Sequence, residues 1–234
     1  YRFDNFTPYV YMSNDYGQTW TNIGESVPTS AVNVIKEDPK NENILYLGTD
    51  NGVYISFNQG KSWEAFSNNL PNVAVHDLVI QEAAKHLIIA THGRSLYKAD
   101  ISALQSMSAD VISKSTHIFK VNSIRKNRNW GRSWSQWRTA YEPEVTIPFY
   151  SNSNRKSTVS IYHNDIKVNE IHIDAVKGYN EANFDLTFSK KGLKSFKRMN
   201  KSKNVSTAQN GKNYLPKGAY TIKIGLASTS FSIK

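Results

Sequence analysis

The 234-residue sequence contains no cysteine. Disulfides, thiolate metal sites and cysteine nucleophiles are therefore excluded. That absence does not separate cytoplasm from exterior. No run of 18 apolar residues occurs, so no transmembrane segment is expected. The six histidines, at 76, 86, 92, 117, 163 and 172, form neither H-x-x-x-H nor H-E-x-x-H, and no metal site is predicted. There is no G-x-S-x-G elbow and no phosphate-cradling glycine loop, so no cofactor is expected. Acidic residues are missing from one stretch. Residues 111–140 hold 7 Lys+Arg and no Asp or Glu. Residues 1–110 hold 7 basic against 12 acidic, a net of −5, and residues 141–234 hold 15 against 7, a net of +8. The overall charge of +10 is thus carried by the second half. This asymmetry predicts separate modules, and either an acidic partner or a solvated basic surface for the second. The chain opens YRFDNF, with neither Met nor a signal peptide, and reads as a piece of a longer polypeptide.

Hydrophobic residues make up 39% and aromatics 12%, enough for a packed core. The strongest organised signal is an internal repeat. "YVYMSNDYGQTWTNI" (Tyr9–Ile23) and "GVYISFNQGKSWEAF" (Gly52–Phe66) align without a gap, and Trp20 and Trp63 lie 43 residues apart. "ILYLGTDNGVY" and "HLIIATHGRSLY" repeat at a similar interval. Units of about 40–45 residues match a four-stranded propeller blade. Strands are predicted over Asp77–Ile80 and Leu87–Thr91, and hairpin turns around Gly17 and Gly60.

Each position of the repeated turn has a local structural use. Asp15 accepts from backbone amides of its own turn. Gly17 takes positive φ, Thr19 suits the returning strand, and Trp20 is expected to bury its ring under the turn. In the second copy, Ser56, Asn58, Gly60, Ser62 and Trp63 stand at the same places. Asn58 caps a turn as Asp does but is neither a carboxylate acid nor a base. The turns are therefore read as structural, with no catalytic residue assigned.

Ser13-x-Asp15-x-Gly17-x-Thr19-Trp20 resembles the Asp-box, or BNR repeat, of sialidases, xyloglucan-cleaving propellers and sortilin-type receptors. Residues 7–104 resemble the last blades of exported bacterial sortilin-like (VPS10-type) BNR proteins, often labelled "glycosyl hydrolase". "HIFKV", "GYNEANFDLTF" and "NYLPKGAYTIKI" are similar to the β-sandwich that follows that propeller. The departures are Asn58 in the second box and the basic tail. The resemblance implies an all-β fold: about two and a half Asp-box blades of a partial β-propeller over 1–104, a linker over 105–143, and an Ig/fibronectin-like β-sandwich over 144–234. It implies a secreted, periplasmic or cell-surface bacterial protein. Its partners would be the remaining blades of the same polypeptide, and polysaccharide or a peptide strand. Three functions follow: a non-catalytic binding or scaffolding module, a terminal piece of a glycoside hydrolase, or a sortilin-like peptide receptor.

Other segments carry narrower expectations. "DISALQSMSAD" (Asp100–Asp110) is predicted to be a short helix. "RKNRNWGRSWSQWR" places Trp130, Trp134 and Trp137 among five basic residues. These rings either pack between domains or stack on sugar or single-stranded nucleic acid. No RNA-binding motif accompanies them, and nucleic acid is not expected as a partner. His92 and Arg94 of "THGRS" are candidate ligand-binding residues on the propeller face, or else a local bend and pair. "SKKGLKSFKRMNKSKN" (Ser189–Asn204), with seven basic and no acidic residues, reads as a solvated insertion loop or a short amphipathic helix. Asp50, Asp77 and Asp100 are the candidate glycosidase carboxylates, though nothing in their spacing marks the pair that such chemistry needs.

Overall fold

A computed structural model describes residues 5–66, 69–200 and 205–234. The chain divides into two compact units, Tyr1–Met107 and Ser108–Lys234.

The first unit is built from three antiparallel sheets of strands consecutive in sequence. A two-stranded ribbon joins β1 (Tyr11–Met12) to β2 (Thr21–Asn22). A four-stranded meander runs β3 (Val32–Glu37), β4 (Leu45–Thr49), β5 (Gly52–Ser56) and β6 (Glu64–Ala65). A three-stranded meander runs β7 (Val75–Gln81), β8 (His86–Thr91) and β9 (Leu96–Asp100). The two predicted strands of 77–91 fall within β7 and β8. β4 is buried at every position, as a central strand covered on both faces must be. The ribbon packs on the meander through a cluster of Val10, Ile23, Val27, Leu45, Leu47 and Trp63.

The predicted helix over Asp100–Asp110 resolves into two pieces. A 3-10 turn spans Leu104–Ser106, and a separate helix, α1 (Ala109–Ser113), begins beyond an extended Met107. Asp100 starts the break by accepting from the Ser102 amide at 2.9 Å. The 3-10 turn is latched to the first unit. Buried Asp38 accepts from Tyr46 Oη at 3.2 Å and from Gln105 Nε2 at 3.0 Å, and Asn41 Nδ2 donates to the Met107 carbonyl at 3.0 Å. Burial, and then the Asp38 charge, push the Tyr46 phenol well above its usual pKa.

The second unit holds two antiparallel sheets. One orders β10 (Thr116–Ile118), β11 (Val145–Ser151) and β14 (Gly178–Phe184). The other orders β13 (Ile166–Ala175), β12 (Arg155–His163), β15 (Gly218–Ile224) and β16 (Ala227–Ile233). Alternate residues of both sheets enter one core: Ile147 and Phe149 from β11, Val159 and Ile161 from β12, Tyr220 and Ile222 from β15. This is the period-two burial expected of sheets with one wet face.

The basic segment after β14 contains a helix, α2 (Lys190–Met199), rather than a solvated loop. Ser189 caps it by accepting from the Gly192 amide at 3.0 Å. Gly192 and Phe196 are buried, and Leu193 packs at the core's edge. Met199 is exposed, and the lysines face outward. Residues 201–204 of the predicted segment lie outside the described residues.

Candidate functional site

The two boxes are hairpin turns, joining β1 to β2 and β5 to β6. In the first, the Ser13 hydroxyl donates to Asp15 Oδ1 at 2.8 Å and accepts from the Gly17 amide at 2.6 Å. Asp15 accepts from the Thr19 amide at 2.8 Å and from the Thr19 hydroxyl at 2.6 Å. In the second, Ser56 donates to Asn58 Oδ1 at 2.9 Å and accepts from the Gly60 amide at 2.8 Å. The Ser62 amide donates to Asn58 Oδ1 at 2.9 Å. One bond reverses direction: Asn58 Nδ2 donates to the Ser62 hydroxyl at 2.8 Å, where Thr19 donates to Asp15. Both turns place two successive residues at positive φ, Tyr16–Gly17 and Gln59–Gly60, and glycine relieves the second.

The Asp15 carboxylate is held at a pKa of about 2 by the Thr19 hydroxyl, then the Thr19 amide and the Ser13 hydroxyl. A carboxylate ionised and saturated by its own turn is a poor proton donor, and Asn58 is an amide.

The tryptophans differ, and one departs from expectation. Trp63 is 8% exposed, and its indole N–H donates to the Ile23 carbonyl of the preceding repeat at 2.7 Å. Trp20 is 63% exposed rather than buried. Its indole N–H turns back onto the Gly17 carbonyl of its own turn at 3.1 Å. The reason lies in the seat: Trp63 is buried by the neighbouring repeat, not by the turn above it, and no described residue offers Trp20 the same cover.

His92 and Arg94 are exposed beside the end of β8. His92 meets His76 edge-on at 5.3 Å between ring centroids. Among the described residues no group of three or more His, Asp or Glu side chains converges to hold a metal.

The tryptophan-rich segment separates into two roles. Trp130 is buried in the second unit's core, edge-on to Tyr214 at 5.9 Å, and is unavailable for stacking. Trp134 and Trp137 are 89% and 86% exposed. They sit on a closed loop: the Gly131 amide donates to Tyr141 O at 2.8 Å, the Tyr141 amide to Arg132 O at 2.9 Å, and Ser133 Oγ to Arg138 O at 2.6 Å. Beside the loop's base is a cleft of about 690 Å³, lined from one side by residues 126–133 and from the other by residues 205–216.

A family model described as "Sortilin, neurotensin receptor 3" matches residues 8–216. The chain belongs to the Sortilin-Vps10 family. No curated protein matches it. Among solved structures it is similar to Drosophila semaphorin 2a, at 11% identity and a TM-score of 0.23, over 87% of this chain and 35% of that one. The chain thus spans about a third of that protein's length, and the likeness is too slight to bear on fold or ligand.

In this Sortilin-Vps10 chain, the cleft is the feature that sequence reasoning missed. Lys126, Arg128 and Arg132 stand in the basic stretch already noted, but the opposite lining comes from about 75 residues further on. The two segments meet at Gly131, where φ is +71° and an added Cβ would lie 2.6 Å from Ala208 Cβ and from Asn210 Oδ1.

Proposed function

We propose that the chain is part of an exported, non-catalytic binding module of the propeller type. On this reading the β1–β9 sheets are Asp-box blades, and the two sheets of β10–β16 form an Ig/fibronectin-like sandwich that follows them in the chain. The observation that carries it is the clamp between repeats. Trp63 is seated on Ile23 of the repeat before, whereas Trp20 keeps its ring in solvent, together with Tyr9, Tyr11 and Tyr16 on the same ribbon. Repeats that interlock in series leave one open seat at the first. The remaining blades of the same polypeptide fill that seat. The boxes, whose polar groups are saturated within their own turns, support a structural role for them in a binding module.

Two measurements test the reading. The purified chain should turn over no aryl glycoside. Turnover abolished by a single substitution of Asp50, Asp77 or Asp100 would replace the reading with a glycoside hydrolase. In sedimentation, the isolated chain should self-associate through its open aromatic ribbon, and Trp20→Ser with Tyr11→Ser should weaken that association. A stable, cooperative monomer at all concentrations would overturn the blade reading.

One observation favours the peptide-receptor alternative. Among the described residues β9 pairs only with β8, and its Leu96 is exposed. Such an edge suits addition of a peptide strand.

A further inference from the structure

The cleft of the second unit has an uneven charge balance. Lys126, Arg128 and Arg132 contribute three cations to its lining, and among the described residues no carboxylate lines it. Glu142 and Asp185 are already paired with a lysine outside the lining. Lys212 Nζ lies 2.8 Å from Glu142 Oε2 and 3.4 Å from Asp185 Oδ2. By contrast, neither the Arg128 nor the Arg132 side chain has a hydrogen bond or ion pair among the described residues, and both are exposed. Lys126 is fixed rather than free: its Nζ donates to Leu215 O at 2.9 Å and lies 5.7 Å from the Trp130 ring centroid. Burial first, and then the like charge of Lys217, lower its pKa, so an anion placed here relieves a repulsion already present.

The rest of the lining is neutral and rich in hydrogen-bonding groups. Ser206, Thr207 and Gln209 face the cations across the cleft, and Gln209 Oε1 accepts from the Ser133 amide at 3.2 Å, joining the two sides. Ser133 also opens the closed loop that carries the exposed rings of Trp134 and Trp137.

We infer that this cleft binds an acidic polysaccharide. Arg128 and Arg132 take carboxylates of successive uronate residues through their planar donor forks. The hydroxyl and amide side chains opposite take sugar hydroxyls, and Trp134 and Trp137 offer flat apolar faces to the pyranose rings. An acidic peptide would use the cations, but the exposed rings of Trp134 and Trp137, on the loop beside the cleft rather than in its lining, offer the flat apolar faces that a pyranose ring stacks on. The inference deepens the binding reading by naming a ligand class. It stands on the second unit alone, so self-association or its absence in the first unit leaves it untouched.

Isothermal titration of the intact chain with polygalacturonate tests it, with dextran, poly-glutamate and oligo-thymidine as competitors. Polygalacturonate should bind, and rising salt should weaken it. Arg128→Gln with Arg132→Gln should weaken binding at least tenfold. Trp134→Ala with Trp137→Ala should weaken it several-fold. Lys156→Gln with Lys223→Gln, an equal loss of charge elsewhere on the unit, should leave it unchanged. All these side chains are exposed, so unaltered melting curves should accompany every variant. The inference is overturned by any of four results: no binding of polygalacturonate, equal binding of dextran, equal loss in the lysine control, or preferred binding of poly-glutamate or oligo-thymidine with the tryptophan variant silent.

Discussion

The indole N–H of Trp63 donates to the carbonyl oxygen of Ile23, 2.7 Å away and one repeat earlier in the chain. Gly60 is pressed against the same residue: a Cβ on it would lie 2.8 Å from Ile23 Cβ and Cδ1. A large ring and a missing side chain thus grip one isoleucine from two sides. In the first repeat, by contrast, Gly17 meets only its own Trp20, at 3.6 Å.

The contrast predicts unequal truncations. Trp63→Ala should cost on the order of 3–5 kcal/mol, through lost burial and an orphaned Ile23 carbonyl. Trp20→Ala should fall within about 0.5 kcal/mol, as exposed substitutions do. Chemical denaturation of both variants checks this, and equal losses would contradict the clamp.

The Asp15 carboxylate gives the first turn a pH dependence that the second lacks. Its folded pKa is about 2, below the ordinary carboxylate value. Its contribution to stability is therefore complete above about pH 4 and is lost as pH falls toward 2. Asp15→Asn should keep the hairpin, since Asn58 already serves the same turn, and should flatten this part of the acid limb. Melting temperatures from pH 2 to 6 would show it; superimposable profiles for the two proteins would argue against the bonding described.

Gly192 sits where α2 touches β13. Alanine there favours the helix by up to about 1 kcal/mol in isolation. Yet the added Cβ would lie 2.0 Å from the Val168 carbonyl oxygen, a backbone atom that cannot step aside. Gly192→Ala should therefore destabilise by about 1–3 kcal/mol, whereas exposed Lys191→Ala should be nearly neutral. Urea titration distinguishes the two.

Asp38 is buried with Tyr46 and Gln105 as donors. Asp38→Ala leaves both unsatisfied and should cost on the order of 2–3 kcal/mol. Tyr46→Phe removes one hydrogen bond and should cost about 1 kcal/mol. In alkaline spectrophotometric titration, two phenols raised by burial, Tyr46 and Tyr220, should remain protonated after the exposed tyrosines ionise, and Tyr46→Phe should leave only one.

The parts of this structure legible in the sequence are those whose cause is local. The box turns follow from Ser, Asp or Asn, and Gly at fixed offsets, because their bonds close within five residues. The strands predicted over Asp77–Ile80 and Leu87–Thr91 follow from short apolar runs on either side of a polar turn, an outline already present at residues 33–50. Trp20 was misjudged because its burial depends on a neighbouring repeat and not on its own turn. The helix at Asp100–Asp110 was overextended because leucine and methionine spacing does not reveal Asp100 accepting from Ser102. The segment at 190–199 leaves helix and solvated loop both open, because its lysines dominate a buried stripe of only Gly192, Leu193 and Phe196. The basic cleft could not be read at all, because its two linings meet only after the second unit has folded.

The reversed bond in the second box has a consequence for how such repeats diverge. The turn requires a link between its third and seventh positions, and either partner can be the donor. Asp and Asn codons differ by a single base, so a box can exchange acid for amide in one mutational step without passing through a broken hairpin. Blades can thus drift in surface charge while the scaffold stays intact. A search that insists on the acid at that position would overlook the copy at Asn58, although it is the better buried of the two.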